Sequence, residues 1–232
     1  MTRPFAELLG RSCFSFLEGA SQPAEMVEQS HRLGHAAFGL CDRDGLYGSV
    51  RAHVAAKEHA HPFVVGAELT LERTGLAPLP YVERPQPSVA LLVESHDGYR
   101  ALCRLLTRSH ADHDKGEAGI SAAEIAADCR DLLAVVPLEP RAALPDVDLA
   151  ILREAFGTRI AIADWRHLEP GDAERRALAE AKAAAFDMPL VATSRPLYHA
   201  RSRNPLSDVL HCIRYRTPLV EGYVSETMSR RQ

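Results

Sequence analysis

Apolar and polar positions alternate between two textures along the chain. Short apolar, β-prone runs are separated by longer Ala-rich stretches with helical spacing. Pro23 to Leu33 reads as a helix, with Ser21 as its cap and Gly34 as its stop. Ala36 to Cys41 is a short buried strand ending at Asp42-Arg43-Asp44-Gly45. Leu46 to His59 returns to helix, and Pro62 to Gly66 is the next strand. Val89 to Val93 is apolar throughout, as a strand buried on both faces would be. Gly98 to Ser109 and Ser121 to Cys129 predict helices, and Leu132 to Val136 another strand. Ile151 to Phe156, Arg159 to Asp164, Ala173 to Phe186 and Leu190 to Thr193 continue strand and helix in turn, and a first strand lies near Glu7 to Leu9. This rhythm predicts parallel α/β, closed into a barrel or left open. Two segments break it. Thr74 to Ser88 carries Pro78, Pro80, Pro85 and Pro87 and reads as a surface loop; Arg195 to Gln232 is an Arg-rich tail.

Composition acts mainly by exclusion. With 232 residues, 46% hydrophobic and 25% charged, the chain can bury a sizeable core in one or two domains. The net charge of −4 gives no global positive field toward nucleic acid. The tail alone has seven Arg and three acids, which suits either a solvated surface or contact with phosphates or an acidic partner, so DNA binding is expected to be weak or indirect. Cys13, Cys41, Cys103, Cys129 and Cys212 are odd in number and form no C-x-x-C pair, which argues against a disulfide scaffold and a structural zinc site and fits a cytoplasmic protein. No apolar run approaches a membrane span, and the start lacks a signal-peptide core, so no membrane partner is expected.

Chemistry in parallel α/β folds collects at the carboxyl ends of strands. Those ends carry Arg11-Ser12 and Glu18, Asp42-Arg43-Asp44, Glu68, and Ser194-Arg195. A hydrolytic metal site needs His and carboxylates converging there. Carboxylates are present, but arginines stand where histidines would be needed. His59-Ala60-His61 precedes a strand at the opposite end, and Gly34 is expected to separate His31 from His35. His110 and His113, beside Asp112 and Asp114, form the best local cluster, for which a polar loop is the simpler account; His96, His167, His199 and His211 are isolated. G-x-S-x-G, the P-loop, G-x-G-x-x-G and H-E-x-x-H are all absent from the sequence.

An ordered set of blocks carries a resemblance. Phe14-Ser15-Phe16-Leu17-Glu18-Gly19-Ala20-Ser21, Leu33-Gly34-His35-Ala36-Ala37, Asp42-Arg43-Asp44-Gly45-Leu46-Tyr47-Gly48-Ser49-Val50-Arg51 and Val65-Gly66-Ala67-Glu68-Leu69 come first. Gly98 to Thr107, Lys115-Gly116-Glu117, Leu190-Val191-Ala192-Thr193 and Asp208 to Arg214 follow. Over roughly residues 5 to 216 the chain resembles the amino-terminal PHP (polymerase and histidinol phosphatase) domain of bacterial C-family DNA polymerases, most closely the error-prone branch. The resemblance implies a distorted seven-stranded β/α (TIM-like) barrel over 1–216, followed by a short tail, 217–232. It also implies a metal cluster at the strand carboxyl ends and, in some members, metal-dependent phosphoester hydrolysis including proofreading.

Carried over position by position, that cluster is depleted here. The opening H-x-H falls on Leu9-Gly10-Arg11, the next acidic ligand on Glu18, the D-H pair on Asp42-Arg43, and the Glu on Glu68. A later His matches His110, a Cys falls near Leu138, and the closing D-x-H falls on Arg195-Pro196-Leu197. Leucine cannot ligate a metal, and a protonated guanidinium has no lone pair to donate. The substitutions therefore predict no metal cofactor and a catalytically silent domain. Arg11, Arg43 and Arg195 are expected to replace the metal electrostatically by pairing with Glu18, Asp42 and Glu68. The alternative is a phosphoesterase or 3'-5' exonuclease with zinc, manganese or magnesium held at a reduced site of Glu18, Asp42, Glu68 and His110. In the family this domain precedes the polymerase core. The chain is accordingly expected not to polymerise DNA alone, and its expected partners are a separate polymerase core chain or DNA-repair proteins.

Overall fold

The computed structural model describes residues 4–72, 86–168 and 170–219. Most of the proline-rich segment and the end of the basic tail lie outside the described residues. The fold is α/β, with seven strands following one another through the sheet in chain order, the strand number the resemblance implies. The chain divides into two compact units: 1–65 with 165–172 and 193–232, and 66–164 with 173–192.

In the first unit, β1 (Glu7–Gly10) pairs in parallel with β2 (Phe38–Arg43). Between them, α1 (Pro23–Arg32) starts where Pro23 needs no amide partner and Glu25 accepts the Gln22 N–H at 2.8 Å. The predicted cap, Ser21, instead accepts the His199 N–H at 3.0 Å. Then comes α2 (Ser49–Glu58), and Met26, Val27, Phe38, Leu40, Ala52, Ala55 and Ala56 form the core between these elements. Small alanines on α2 let it pack close against α1.

The second unit holds most of β3 (Phe63–Thr70), then β4 (Ser88–Val93), β5 (Leu132–Val136), β6 (Ile160–Asp164) and β7 (Leu190–Ala192). The pairs β5–β6 and β6–β7 are parallel, but β4 runs antiparallel to both neighbours, with Thr70 opposite Ser88 and Val93 opposite Leu132. An all-parallel sheet is thus not what forms. The segment before β4 is proline-rich, with none of the helical spacing that a parallel crossover needs. Helices α3 (His96–Ala111), α4 (Ala122–Ala127), α5 (Asp146–Phe156) and α6 (Asp172–Ala185) complete the alternation. Ser95 caps α3 by accepting the Asp97 and Gly98 amides, and Ser121 with Glu124 forms a capping box on α4. A last helix in the first unit, α7 (Asn204–Tyr215), has no counterpart among the predicted elements.

Candidate functional site

Among the buried carboxylates at the strand ends of the first unit, Glu18 and Asp42 sit in different settings. Past β1, the chain from Arg11 to Ala20 folds into a tight loop: Cys13 donates to the Ser21 carbonyl at 2.7 Å, and Glu18 and Gly19 donate to the Ser15 carbonyl. Gly19 is required there, since a Cβ would stand 1.9 Å from the Ser12 carbonyl oxygen. The loop also meets the segment after β7. The Arg11 amide donates to the Pro196 carbonyl at 3.1 Å and the Ala20 amide to the Leu197 carbonyl at 2.8 Å. The positions of the opening H-x-H and the closing D-x-H are therefore neighbours, as Leu9-Gly10-Arg11 and Arg195-Pro196-Leu197.

Glu18 lies at the centre of a cluster of guanidinium groups. Arg11 donates to one carboxylate oxygen, while Arg214 from α7 and Arg43 from the end of β2 donate to the other, Arg43 at 3.4 Å. Asp44 stands 3.6 Å from Arg43 on its other side. All five side chains are about nine-tenths buried. Leu17 and Asp44 both adopt left-handed backbone, with φ of 58° and 50°, a conformation non-glycine residues hold only when their surroundings enforce it.

Asp42 is held by hydroxyls. Ser12 gives it both its amide and its Oγ at 2.7 Å, and Ser15 Oγ adds a third bond at 2.9 Å. Burial pushes its carboxyl above the usual carboxylate range, against the opposing pull of Ser12, Ser15 and the nearby Arg11 charge. The expected arginine partner of Asp42 is corrected by this cage: sequence spacing gave no sign that the loop would turn two serines onto it. Gly48 also serves this site, because a Cβ there would approach Asp42 Oδ2 to 2.7 Å and the Pro23 ring to 3.0 Å.

Around the closing segment, Arg195 has φ of 45° and lays its guanidinium over the Trp165 ring, 4.9 Å from the centroid. Arg166, His167, Ser194, Arg195, Leu197 and Tyr198 line a cavity of about 230 Å³. Fully buried Glu7, which the sequence reading passed over, ties β1 to this segment by accepting from Ser194 N at 2.7 Å, from its Oγ at 2.5 Å and from Thr193 Oγ1.

Three further positions lie in the second unit. Glu68 on β3 is fully buried and accepts the Ser88 hydroxyl at 2.6 Å. Leu138 is buried past β5. His110 is exposed on the last turn of α3, its Nδ1 3.3 Å from the Glu117 carbonyl. Elsewhere in the first unit, four histidines gather: His31 stacks on His59 and meets His61 edge-on, and Ser30 Oγ lies 3.0 Å from His61 and 3.2 Å from His35. Burial and the three neighbouring imidazoles push the His61 pKa down.

These donor sets can be tested against a metal cluster. Both Glu18 oxygens accept N–H bonds and both Asp42 oxygens accept bonds from serines, while the surrounding guanidiniums carry no lone pair. Among the described residues, no group of three or more His, Cys, Asp or Glu side chains is placed to hold a metal ion. The residues of this site do not fit a divalent cation. No helix among the described residues is long and apolar enough to cross a membrane.

Comparison with known proteins agrees with this architecture. The chain is 40% identical over 222 residues to the error-prone DNA polymerase of Anaeromyxobacter dehalogenans (strain 2CP-1 / ATCC BAA-258), a match covering 92% of this chain and 18% of the relative. It is 33% identical over 228 residues to that of Ralstonia nicotianae, covering 94% of the chain and 21% of the relative. The chain thus spans about a fifth of the curated relatives it matches, in their amino-terminal PHP region. Among solved structures, one assigned as a metal-dependent phosphoesterase from Bifidobacterium adolescentis superposes with a TM-score of 0.59 at 16% identity, over 86% of this chain and 89% of that one. An amidohydrolase from Chromobacterium violaceum, with bound sulfate and no metal, gives 0.57 at 13% identity, over 83% and 87%. These distant likenesses concern the fold. Residues 8–183 match the PHP domain itself, and the chain belongs to the PHP domain family.

Proposed function

We propose that this chain is a catalytically silent PHP module of the error-prone polymerase lineage. Its role in DNA replication or translesion repair is to support a polymerase core and to engage protein partners, in the cytoplasm. The observation carrying this reading is the Glu18 cluster, where three guanidiniums take up a carboxylate that the family resemblance makes a metal ligand. A guanidinium supplies fixed positive charge to a buried carboxylate but has no exchangeable position at which water could be activated. The cluster can therefore satisfy Glu18 without generating a nucleophile.

The test is elemental analysis of the purified, tag-free protein after incubation with zinc, manganese and magnesium and then desalting. The expected result is a metal stoichiometry near zero, unchanged in Glu18→Gln. One or more tightly held ions per chain, lost in Glu18→Gln, would overturn the reading. That outcome would favour a reduced phosphoesterase site and call for an assay on single-stranded DNA.

A further inference from the structure

Helix α7 is turned the wrong way round for a helix of a self-sufficient fold. Leu206, Val209, Leu210 and Ile213 are spaced i, i+3, i+4, i+7 and so form one apolar stripe. That stripe faces outward: Leu206 is 41% exposed, Val209 36% and Ile213 56%. The inward contacts come mainly from polar positions, with Cys212 the buried apolar side chain of the helix. Ser207 is buried, Arg214 reaches the Glu18 carboxylate, and Asn204 accepts the Tyr198 hydroxyl at 3.0 Å. An amphipathic helix ordinarily buries its apolar face, and here ion pairs and hydrogen bonds hold the opposite one. Phe16, 73% exposed on the neighbouring loop, extends the apolar surface. Beside it Cys13, Phe16, Leu17, Ala20, Leu206 and Leu210 line a cavity of about 240 Å³, room for an anchoring side chain. Contiguous exposed apolar surface next to a pocket marks an interaction site.

The charge around the stripe identifies its occupant. Exposed Arg201 precedes the helix and exposed Arg216 follows it. Between residues 195 and 219 the sole acidic residue is Asp208, half-buried and bonded to Asn204. Glu25, also on the cavity wall, is engaged by Arg203. We infer that the outward face of α7, with the cavity beside Phe16, docks an amphipathic helix of a partner polypeptide whose apolar seam is flanked by Asp or Glu. Such a helix would lay its seam in the groove and meet the two arginines at its ends. The inference concerns a surface and is independent of metal content at Glu18, so either can fail alone.

The test uses the full chain and an 18-residue fluorescent peptide with Leu at i, i+3, i+4 and i+7 and Glu on the remaining face. Its Lys-for-Glu counterpart is the control. Fluorescence anisotropy is expected to show the acidic peptide binding at least tenfold more tightly than the basic one. Ile213→Asp should weaken it at least tenfold without shifting the melting temperature. Arg201→Glu with Arg216→Glu, at exposed positions, should invert the preference. Equal binding of both peptides, undiminished binding by Ile213→Asp, or no binding would overturn the inference. So would self-association on sedimentation, or binding to anionic phosphatidylserine vesicles, that Ile213→Asp abolishes while neither peptide binds; the occupant would then be a second copy or a lipid surface.

Discussion

Glu18 and Asp42 are buried in the same unit, and the sequence resemblance gives them the same ancestral duty, yet they are held by opposite means. Glu18 is surrounded by full positive charges from Arg11, Arg43 and Arg214. Asp42 sits in a cage of serine hydroxyls and an amide. The first arrangement balances charge with charge. The second offers mainly dipoles, with the nearby Arg11 charge a smaller influence, and burial outweighs them, so the Asp42 carboxyl is pushed toward its protonated form. A buried carboxylate can thus be stabilised by counter-charge, or kept at some energetic cost because its hydrogen bonds organise a loop.

The largest expected effect separates the two directly. Glu18→Ala leaves three buried guanidiniums without their shared anion. It should destabilise the protein by about 3–5 kcal/mol, the range for breaking a buried ion pair from one side; urea unfolding that moves by less than 1 kcal/mol would show the cluster to be water-screened. Next comes Arg43→Ala, which removes charged contacts to both Glu18 and Asp44 and should lower stability by roughly 1.5–3 kcal/mol. An unchanged midpoint would mean that Arg11 and Arg214 suffice.

Predictions on the Asp42 side are smaller. Gly48→Ala drives a methyl toward Asp42 and the Pro23 ring, with an expected loss of about 1–3 kcal/mol from overpacking. Thermal unfolding alongside Asp42→Asn would show whether the clash needs the carboxylate. Asp42→Asn itself should appear as a slope. A carboxyl whose folded pKa is raised stabilises the native state fully below its unfolded pKa, and that contribution is lost as pH rises through the folded value. Wild-type stability should therefore fall relative to Asp42→Asn as pH rises above the ordinary carboxylate range, about pH 4. A gap that is constant or moves the other way would mean the serines outweigh burial.

Much of this fold was legible locally. Leu132 to Val136 is a strand with the predicted ends, and α1 differs from its predicted span by one residue, because an unbroken apolar run and a proline–glycine bracket are signals within a few residues. The orientation of β4 was legible only indirectly, from the proline-rich link before it that holds no crossover helix; its own run, Val89 to Val93, is apolar throughout and reads the same in either direction. The arginine cluster was half legible: Arg11, Arg43 and Glu18 stand at strand ends, but neither the tail's charge nor the Asp208 to Arg214 block joined Arg214 to Glu18. The two are 196 positions apart, and no spacing rule reaches that far. The histidine group was missed because Gly34, with φ of 71°, was taken to part His31 from His35. In the folded chain the turn brings His35 back onto Ser30, and the end of α2 delivers His59 and His61 to the same place.

The reach of the Glu18–Arg214 contact has a consequence for how the domain comes into being. Ribosomal synthesis delivers Arg11, Glu18 and Arg43 within a few dozen residues of one another, so two of the three guanidiniums can gather on the carboxylate early. Arg214 arrives almost a whole domain later, as do the Ser194 groups that close on Glu7, 187 positions away. Non-local closures of this kind are paid for in chain entropy before they return any stability. The amino-terminal strand must therefore wait, partly satisfied, for the last helix to be made, and the nascent domain is most open to chaperones and proteases in that interval.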